Sequence, residues 1–69
     1  MKIAEKFGRR LKELRTQKKL TQEDIAYKAE VTVYYISKIE RGLANPSLET
    51  LVKIASALGT SPSELLKGF

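Results

Sequence analysis

Apolar residues recur along the start of the chain at steps of four, four and three positions, at Ile3, Phe7, Leu11 and Leu14. Steps of three and four residues place side chains on one face of an α-helix. The pattern therefore predicts an amphipathic helix over about residues 4–18 with a single buried stripe, which Gly8 weakens only slightly.

The next two segments each carry a helix start signal built around a threonine. Thr21 stands between Leu20 and Ile25, with an aspartate three positions later that can complete a capping box, and a similar arrangement returns at 31–36 around Thr32. A threonine hydroxyl accepts an amide hydrogen bond in the first helical turn, while the flanking apolar pair fixes the direction of entry. Because the two starts are eleven residues apart, they predict a short helix, a tight turn and a second helix.

Glycine, serine and proline punctuate the rest of the chain. Gly42 ends the third helix, a loop follows at 43–46, and Ser47 caps a fourth helix. Ser61, followed by proline, is a strong start signal for a short fifth helix. The face of the fourth helix expected in the core carries Leu48, Leu51, Val52, Ala55 and Leu58. The predicted fold is all-α, a compact five-helix bundle in one domain, 1–69, with a helix-turn-helix in helices 2 and 3.

The composition limits what else the domain can contain. A single core in a chain of 69 residues supplies only ~3–5 kcal/mol, so oligomerisation is a plausible reinforcement. There is no Cys and no His, which argues against disulfides, zinc centres and thiol or imidazole nucleophiles, so we expect no metal, no cofactor and no enzyme activity. No apolar run approaches a membrane span and residues 1–10 lack a signal-peptide core, so we expect a cytoplasmic, soluble protein.

The basic charge is concentrated at one end. The net charge is +5, but residues 1–20 carry eight basic and only two acidic side chains, so the remainder is nearly neutral. Such a segment favours a polyanionic partner. The alternative is that these cations stabilise a helix C-terminus and keep the domain soluble.

The segment from Gln22 to Arg41 has the spacing of a DNA-binding helix-turn-helix, whose second helix enters the major groove with its N-terminal residues. That geometry requires a small residue where the helices approach, here Ala26, and apolar contacts at fixed positions. The apolar positions are Ile25, Ala29, Val31, Ile36 and Ile39. A generic three-helix core would show similar spacing, but the paired caps and the basic first helix favour double-stranded DNA as the partner.

Four short motifs together carry a family resemblance: Leu20–Glu23, Ile36–Gly42, Asn45–Leu48 and Ala57–Gly59. Over roughly residues 7–67, the chain resembles the phage-repressor (Cro/repressor-like) helix-turn-helix family of bacterial transcriptional regulators. The resemblance implies a five-helix bundle and sequence-specific operator recognition, with helix 3 in the major groove. It also implies a homodimer on a near-palindromic operator, with a role as a repressor.

The resemblance assigns base readout to the outer side of helix 3, at Val33, Tyr34, Ser37 and Lys38. A lysine can donate to guanine acceptors, a serine can serve several bases, and a valine can pack on a thymine methyl group. Tyr34 either contacts a base edge or is an exposed aromatic at a protein contact.

The resemblance also implies contacts to the DNA backbone. Gln22 lies at a helix start, where free amides and the helix dipole attract a phosphate. Arg15 pairs with Glu40 to fix the recognition helix and can also present its charge to a phosphate. Tyr35 is either partly core or a phosphate contact, and Asn45 is either a phosphate contact or ordinary turn chemistry. The full set of expected phosphate contacts is Arg15, Gln22, Thr32, Tyr35, Arg41 and Asn45.

Three features depart from the family pattern. Glu30 occupies the turn where glycine is frequent, and a side chain at positive φ there costs about 1 kcal/mol. Val33 and Tyr34 replace the more usual arginine, glutamine or serine, so readout by apolar contact and DNA shape should be larger. We also expect no separate domain for a small-molecule effector after helix 5, and therefore regulation through dimerisation, partners or supply.

Apolar residues at the end of the chain predict a dimer interface. Leu65, Leu66 and Phe69 lie close together in sequence, and one of the leucines is needed to complete the core. The others, with part of the loop before helix 5, are expected to form a twofold contact. The alternative is that they only cover the first helix.

Two other functions fit the same fold. One is a restriction-modification controller protein, because positions 35–42 resemble those proteins as well as phage repressors. The other is an antitoxin or anti-regulator, a protein-interaction module with only weak, salt-sensitive DNA binding. A DNA-binding regulator is expected in the cytoplasm, associated with the nucleoid when bound.

Overall fold

The computed structural model describes residues 2–69, which form five α-helices and, over that range, no strand. The helices are α1 (Ile3–Gln17), α2 (Gln22–Ala29), α3 (Val33–Glu40), α4 (Leu48–Ala57) and α5 (Pro62–Leu65). These bounds confirm the predicted all-α fold, in which α2 and α3 are the helices of the helix-turn-helix.

Hydroxyl side chains cap the starts of α2 to α5. Thr21, Thr32, Ser47 and Ser61 each accept the amide three positions later. The box at α2 is complete, because the Asp24 carboxylate accepts the Thr21 amide at 2.8 Å. The amide and hydroxyl of Thr21 hold the pKa of Asp24 below its ordinary value, so the box stabilises α2 at neutral pH and loses this effect as the pH falls through that lowered pKa.

The core lies between α1, α2, α3 and α4 and includes one side chain of α5. Its largest fully buried side chains are Leu11, Ile25, Ile36, Ile39, Ile54, Leu58 and Leu65. α2 packs on α4, and α3 packs on α1. The helix-turn-helix is therefore supported by α4, which contacts α2, and by α1, which contacts α3.

Three apolar residues that the sequence analysis placed in the core are exposed. Ile3 is 74% exposed, and Leu48 and Val52 on α4 are 83% and 52% exposed. An α-helix turns by about 100° per residue, so Leu48 and Val52 fall roughly 100° around α4 from the side that faces the core. Ile54, which was not among the predicted core positions, is fully buried there. The assignment was wrong because steps of three and four residues fit more than one stripe of the same helix.

Gly8 is the point at which α1 meets α3. A β-carbon at position 8 would overlap the carbonyl oxygen of Ile39 and would stand 2.6 Å from that of Glu40. Both neighbours are backbone atoms, so no side-chain rotation can make room. The interpretation of Gly8 as a slight weakness of the helix was incomplete, because its lack of a side chain sets the spacing of two helices.

Candidate nucleic-acid interface

The turn between α2 and α3 has the geometry that the sequence pattern predicts. Glu30 lies in the left-handed region with φ of 61°, and the amide of Val31 donates to the carbonyl of Ala26 at 3.0 Å. Ala26 and Ala29 are buried, so little side-chain bulk separates the two helices. The expected departure at Glu30 is confirmed, because a residue other than glycine adopts the left-handed conformation.

Lys53 of α4 contacts this turn from outside. Its ammonium lies 3.2 Å from the Glu30 carboxylate and 3.4 Å from that of Glu49. Hydrogen bonds to Glu30 and then to Glu49 raise the pKa of Lys53 above its ordinary value. Because these groups are largely exposed, salt screens the contact, and the turn depends mainly on its backbone hydrogen bonds.

The four expected base-reading residues lie on one side of α3, called the reading side below. They are Val33, Tyr34, Ser37 and Lys38. This side faces away from Ile36 and Ile39, which are fully buried, and Tyr34 is 68% exposed. The ammonium of Lys38 lies 5.5 Å from the centre of the Tyr34 ring, so the aromatic face attracts the cation. The reading side thus combines an aromatic ring, a cation, a hydroxyl and a branched apolar group.

Two of the expected phosphate contacts are accessible at the two ends of α3. The hydroxyl oxygen of Thr32 accepts the amide of Tyr35 at 3.0 Å, which leaves the hydroxyl hydrogen for another acceptor. Arg41 is exposed, and within residues 2–69 only its Nε donates, to the carbonyl of Ser37 at 3.3 Å. Both side chains can therefore donate to an anion.

Tyr35 has an internal role. It is half-buried against the core, and its hydroxyl donates to the backbone carbonyl of Asn45 at 3.2 Å. The bond ties α3 to the loop at 43–46. Of the two alternatives for Tyr35, the structural one describes this arrangement, while the side chain of Asn45 remains exposed on the loop.

A hydrogen-bonded network joins α1, α2 and α3. Nε and Nη2 of Arg15 donate to the two carboxylate oxygens of Glu40 at 2.6 and 3.1 Å, and Nη1 donates to the carbonyl of Leu20 at 2.9 Å. Gln22 Nε2 donates to the same carboxylate at 3.0 Å. The Arg15 and Glu40 side chains are only 13% and 4% exposed. The hydrogen bonds to Glu40 raise the pKa of Arg15, although burial opposes them.

This network changes the roles expected for two residues. The Arg15–Glu40 pair is present, but the guanidinium is nearly enclosed, so Arg15 has little charge to offer a phosphate directly. Gln22 commits one amide hydrogen to Glu40 and keeps the other for an anion at the start of α2. The link between Gln22 and Glu40 was missed, because no periodic spacing relates residues on two different helices. Tyr27, exposed on α2, was not singled out either.

The surface formed by α4, α5 and the start of α1 is rich in apolar groups. Leu66 and Phe69 are partly exposed, as expected, but Leu65 is fully buried. Leu65 is therefore the leucine that completes the core, and its assignment to a dimer interface was wrong. Leu66 and Phe69 line a depression of about 150 Å³ together with Ile3 and Leu51. The exposed or partly exposed apolar surface consists of Ile3, Leu48, Leu51, Val52, Leu66 and Phe69.

Two kinds of feature are missing from residues 2–69. No three acidic side chains come together in a way that could hold a metal ion. None of the five helices is both long enough and apolar enough to cross a membrane.

Comparison with known proteins matches this chain to transcriptional regulators. The model of the family described as helix-turn-helix matches residues 11–65. The HTH-type transcriptional regulator DdrOP3 of Deinococcus deserti is 48% identical over 63 residues, which cover 91% of this chain and 49% of the relative. The immunity repressor protein of Bacillus phage phi105 is 44% identical over 59 residues, which cover 86% of this chain and 41% of the repressor. The chain therefore spans less than half the length of either relative.

Among solved structures, the restriction-modification controller protein C.AhdI from Aeromonas hydrophila is similar over nearly its whole length. The TM-score is 0.87 at 45% sequence identity, with 90% of this chain and 94% of C.AhdI covered. At this identity the likeness extends beyond the shared fold to many individual side chains.

Proposed function

This chain belongs to the helix-turn-helix family of transcriptional regulators, and we propose that it binds a specific operator sequence in double-stranded DNA as a homodimeric repressor. The observation that carries the proposal is the reading side of α3, where Val33, Tyr34, Ser37 and Lys38 stand together on a helix whose other side is fixed in the core. In this family such a helix lies in the major groove.

The reading side suggests which base edges the operator presents. Lys38, positioned by the Tyr34 ring, donates to the O6 or N7 of a guanine. Val33 packs on the methyl group of a thymine, and Ser37 hydrogen-bonds a neighbouring base. Gln22, Thr32, Arg41 and Asn45 bind phosphates and fix the register, while Tyr35 and Arg15 position other groups.

The apolar surface supports pairing of two copies. Four of its members, Ile3, Leu51, Leu66 and Phe69, line one depression, and exposed apolar clusters of this kind mark interaction sites. In a twofold dimer the two α3 helices would lie about 34 Å apart, one turn of DNA, so the operator is expected to be a near-palindrome. Such a regulator acts in the cytoplasm, where the chromosome is.

The operator can be identified by selecting bound duplexes from a random pool at near-physiological salt. Tyr34→Ala and Lys38→Ala are expected to bind the parent's operator about tenfold more weakly, because each removes a contact to a base edge worth roughly 1–3 kcal/mol. Repeated selection with each variant should relax the preference at one or two positions of each half-site. An unchanged selected sequence for both variants would mean that other residues read the bases.

Gln22→Ala is the matched control for that experiment. It removes a phosphate contact, so it should weaken binding to all sequences alike. Because glutamine carries no charge and releases no counterion, the slope of log affinity against log salt should stay close to the parent's.

Val52→Glu tests the dimer. Because Val52 is exposed on the apolar surface, a carboxylate there should leave the fold intact but raise the dimer dissociation constant at least about tenfold, through burial of a charge. Sedimentation velocity measures the change, and Tyr27→Glu, at an exposed position of α2, is the control. A parent protein that stays monomeric at high concentration would contradict the proposed interface.

One specific observation favours the hypothesis that the chain is a restriction-modification controller protein. C.AhdI is matched over 94% of its length, whereas DdrOP3 is matched over 49%. A controller would have its selected operator upstream of restriction-modification genes. An antitoxin or anti-regulator would instead show weak DNA binding that moderate salt abolishes.

A further inference from the structure

A second depression, of about 280 Å³, opens on the side of α1 that faces away from α3. It is lined by Lys6, Arg9, Arg10, Glu13, Lys67 and Phe69 and is called the basic depression below. Gly8 and Arg15 contact α3 on one side of α1, whereas Lys6 and Arg10 contact the end of the chain on the other. The basic depression is thus separated from the reading side by the thickness of α1.

Its positive charge is only partly neutralised. Lys6 Nζ donates to the carbonyl of Gly68 at 2.6 Å, and Arg10 Nη2 donates to the carbonyl of Glu64 at 2.8 Å. These acceptors carry no net charge, so they hold the cations in place without cancelling them. The carboxylate of Glu64, 3.6 Å from Arg10, is the one ion-pair partner of the lining cations within residues 2–69.

Arg9 and Lys67 add two further cations at the rim. Both are exposed, and in the described part of the chain neither side chain has a hydrogen-bond or ion-pair partner. Their charges are directly available to a ligand, opposed on the lining only by Glu13.

An ordered aromatic ring lies among these cations. The Lys6 ammonium is 4.6 Å from the centre of the Phe69 ring, and the ring meets Phe7 edge to face with centroids 6.4 Å apart. At the wall, Arg10 Nε is buried and has no hydrogen-bond acceptor among residues 2–69. The basic depression therefore offers cationic donors around an apolar floor.

We propose that the basic depression binds an acidic segment of a second protein, with carboxylates on Arg9 and Lys67 and an apolar side chain on the Phe69 ring. We expect DNA held by α3 to lie on the other side of α1, away from the basic depression. The volume is at the lower limit of small-molecule pockets, about 300–1,000 Å³, and the depression is open to solvent. An open depression makes few contacts with a small ligand. A peptide segment that lies across the basic depression can contact more of its surface.

Charge complementarity and the apolar floor indicate that the ligand of the basic depression is an acidic segment with an apolar residue. Acidic residues would pair with cations that now face water, and the paired charges would also direct the approach of the segment. An apolar residue between them would pack on the part of the Phe69 side chain that lines the basic depression, while another part of Phe69 lines the apolar depression with Ile3 and Leu51. The regulator would then hold DNA on one side of α1 and a protein on the other.

The proposal can be tested with a synthetic peptide in which aspartates and glutamates flank one leucine, titrated into the isotope-labelled protein and followed by amide chemical shifts. Saturable shifts are expected at Lys6, Lys67 and Phe69. Arg9→Glu/Lys67→Glu should weaken binding about tenfold or more, because two attractions become repulsions. Lys12→Glu/Lys28→Glu, with the same change of charge at exposed positions outside the depression, should weaken it by about twofold or less.

Two more measurements complete the test. Replacing the leucine of the peptide by serine should weaken binding about threefold or more, through loss of the contact with Phe69. Saturating the protein with its selected operator duplex should leave the peptide bound. The proposal fails if both charge variants weaken binding equally, if the leucine has no effect, or if the duplex displaces the peptide and thereby shows that DNA occupies the basic depression.

Discussion

Gly8→Ala is expected to lower the free energy of unfolding by about 3 kcal/mol or more, enough to leave much of this small domain unfolded at room temperature. The added carbon would overlap the carbonyl of Ile39 and crowd that of Glu40, and both are backbone atoms of the last turn of α3. Relief requires α1 and α3 to separate, which opens the core.

The expected loss of stability is opposite in direction to the ordinary effect of replacing glycine by alanine in a helix. In the interior of a helix, alanine ordinarily stabilises relative to glycine by roughly 0.5–1 kcal/mol. Thermal and denaturant unfolding followed by circular dichroism would measure the change, with Lys12→Ala on the same helix as a control expected to be nearly neutral. A Gly8→Ala variant as stable as the parent would show that the two helices do not approach this closely in solution.

Glu40→Ala is expected to cost about 3–5 kcal/mol, because it leaves the enclosed guanidinium of Arg15 without its partner. The same substitution removes the acceptor of Gln22. Unfolding in denaturant would measure the loss, and a destabilisation below about 1 kcal/mol would mean that the pair is open to solvent.

A double variant separates stability from function in this network. Arg15→Met/Glu40→Leu replaces both charges by apolar groups, and such replacements of buried pairs are often neutral or stabilising. The free energy of unfolding should therefore return towards that of the parent. Operator affinity should remain below that of the parent, because Gln22 is no longer oriented by Glu40. Recovery of both properties would mean that Gln22 binds phosphate without help from Glu40.

Local signals in the sequence were sufficient to predict the helices. The caps at Thr21, Thr32, Ser47 and Ser61 depend on groups three residues apart, and each forms the predicted hydrogen bond. The left-handed turn at Glu30 could be predicted for the same reason, because two closely spaced helix starts leave room for little else.

Features that depend on distant parts of the chain could not be predicted from spacing. Ile54 and Val52 are two positions apart on α4 and both apolar, and the packing of α4 against its neighbours decides that Ile54 is buried and Val52 is exposed. The importance of Gly8 likewise depends on where the backbone of α3 comes to lie.

The reading side was predicted by family resemblance and by the periodicity of α3, since residues opposite the buried Ile36 and Ile39 must face outward. The network behind it was predicted only in part. The Arg15–Glu40 pair was expected, whereas the hydrogen bond from Gln22 required the relative positions of two helix ends.

The contacts of Lys6 with Gly68 and of Phe7 with Phe69 also bring the last residues of the chain against its first helix. Ile3 at the start of α1 and Phe69 line the same depression, so the two ends of the described chain lie close together. Sequence joined to either end would leave from neighbouring points of the surface. A domain whose ends are close together can be inserted into a longer protein without a long connecting segment.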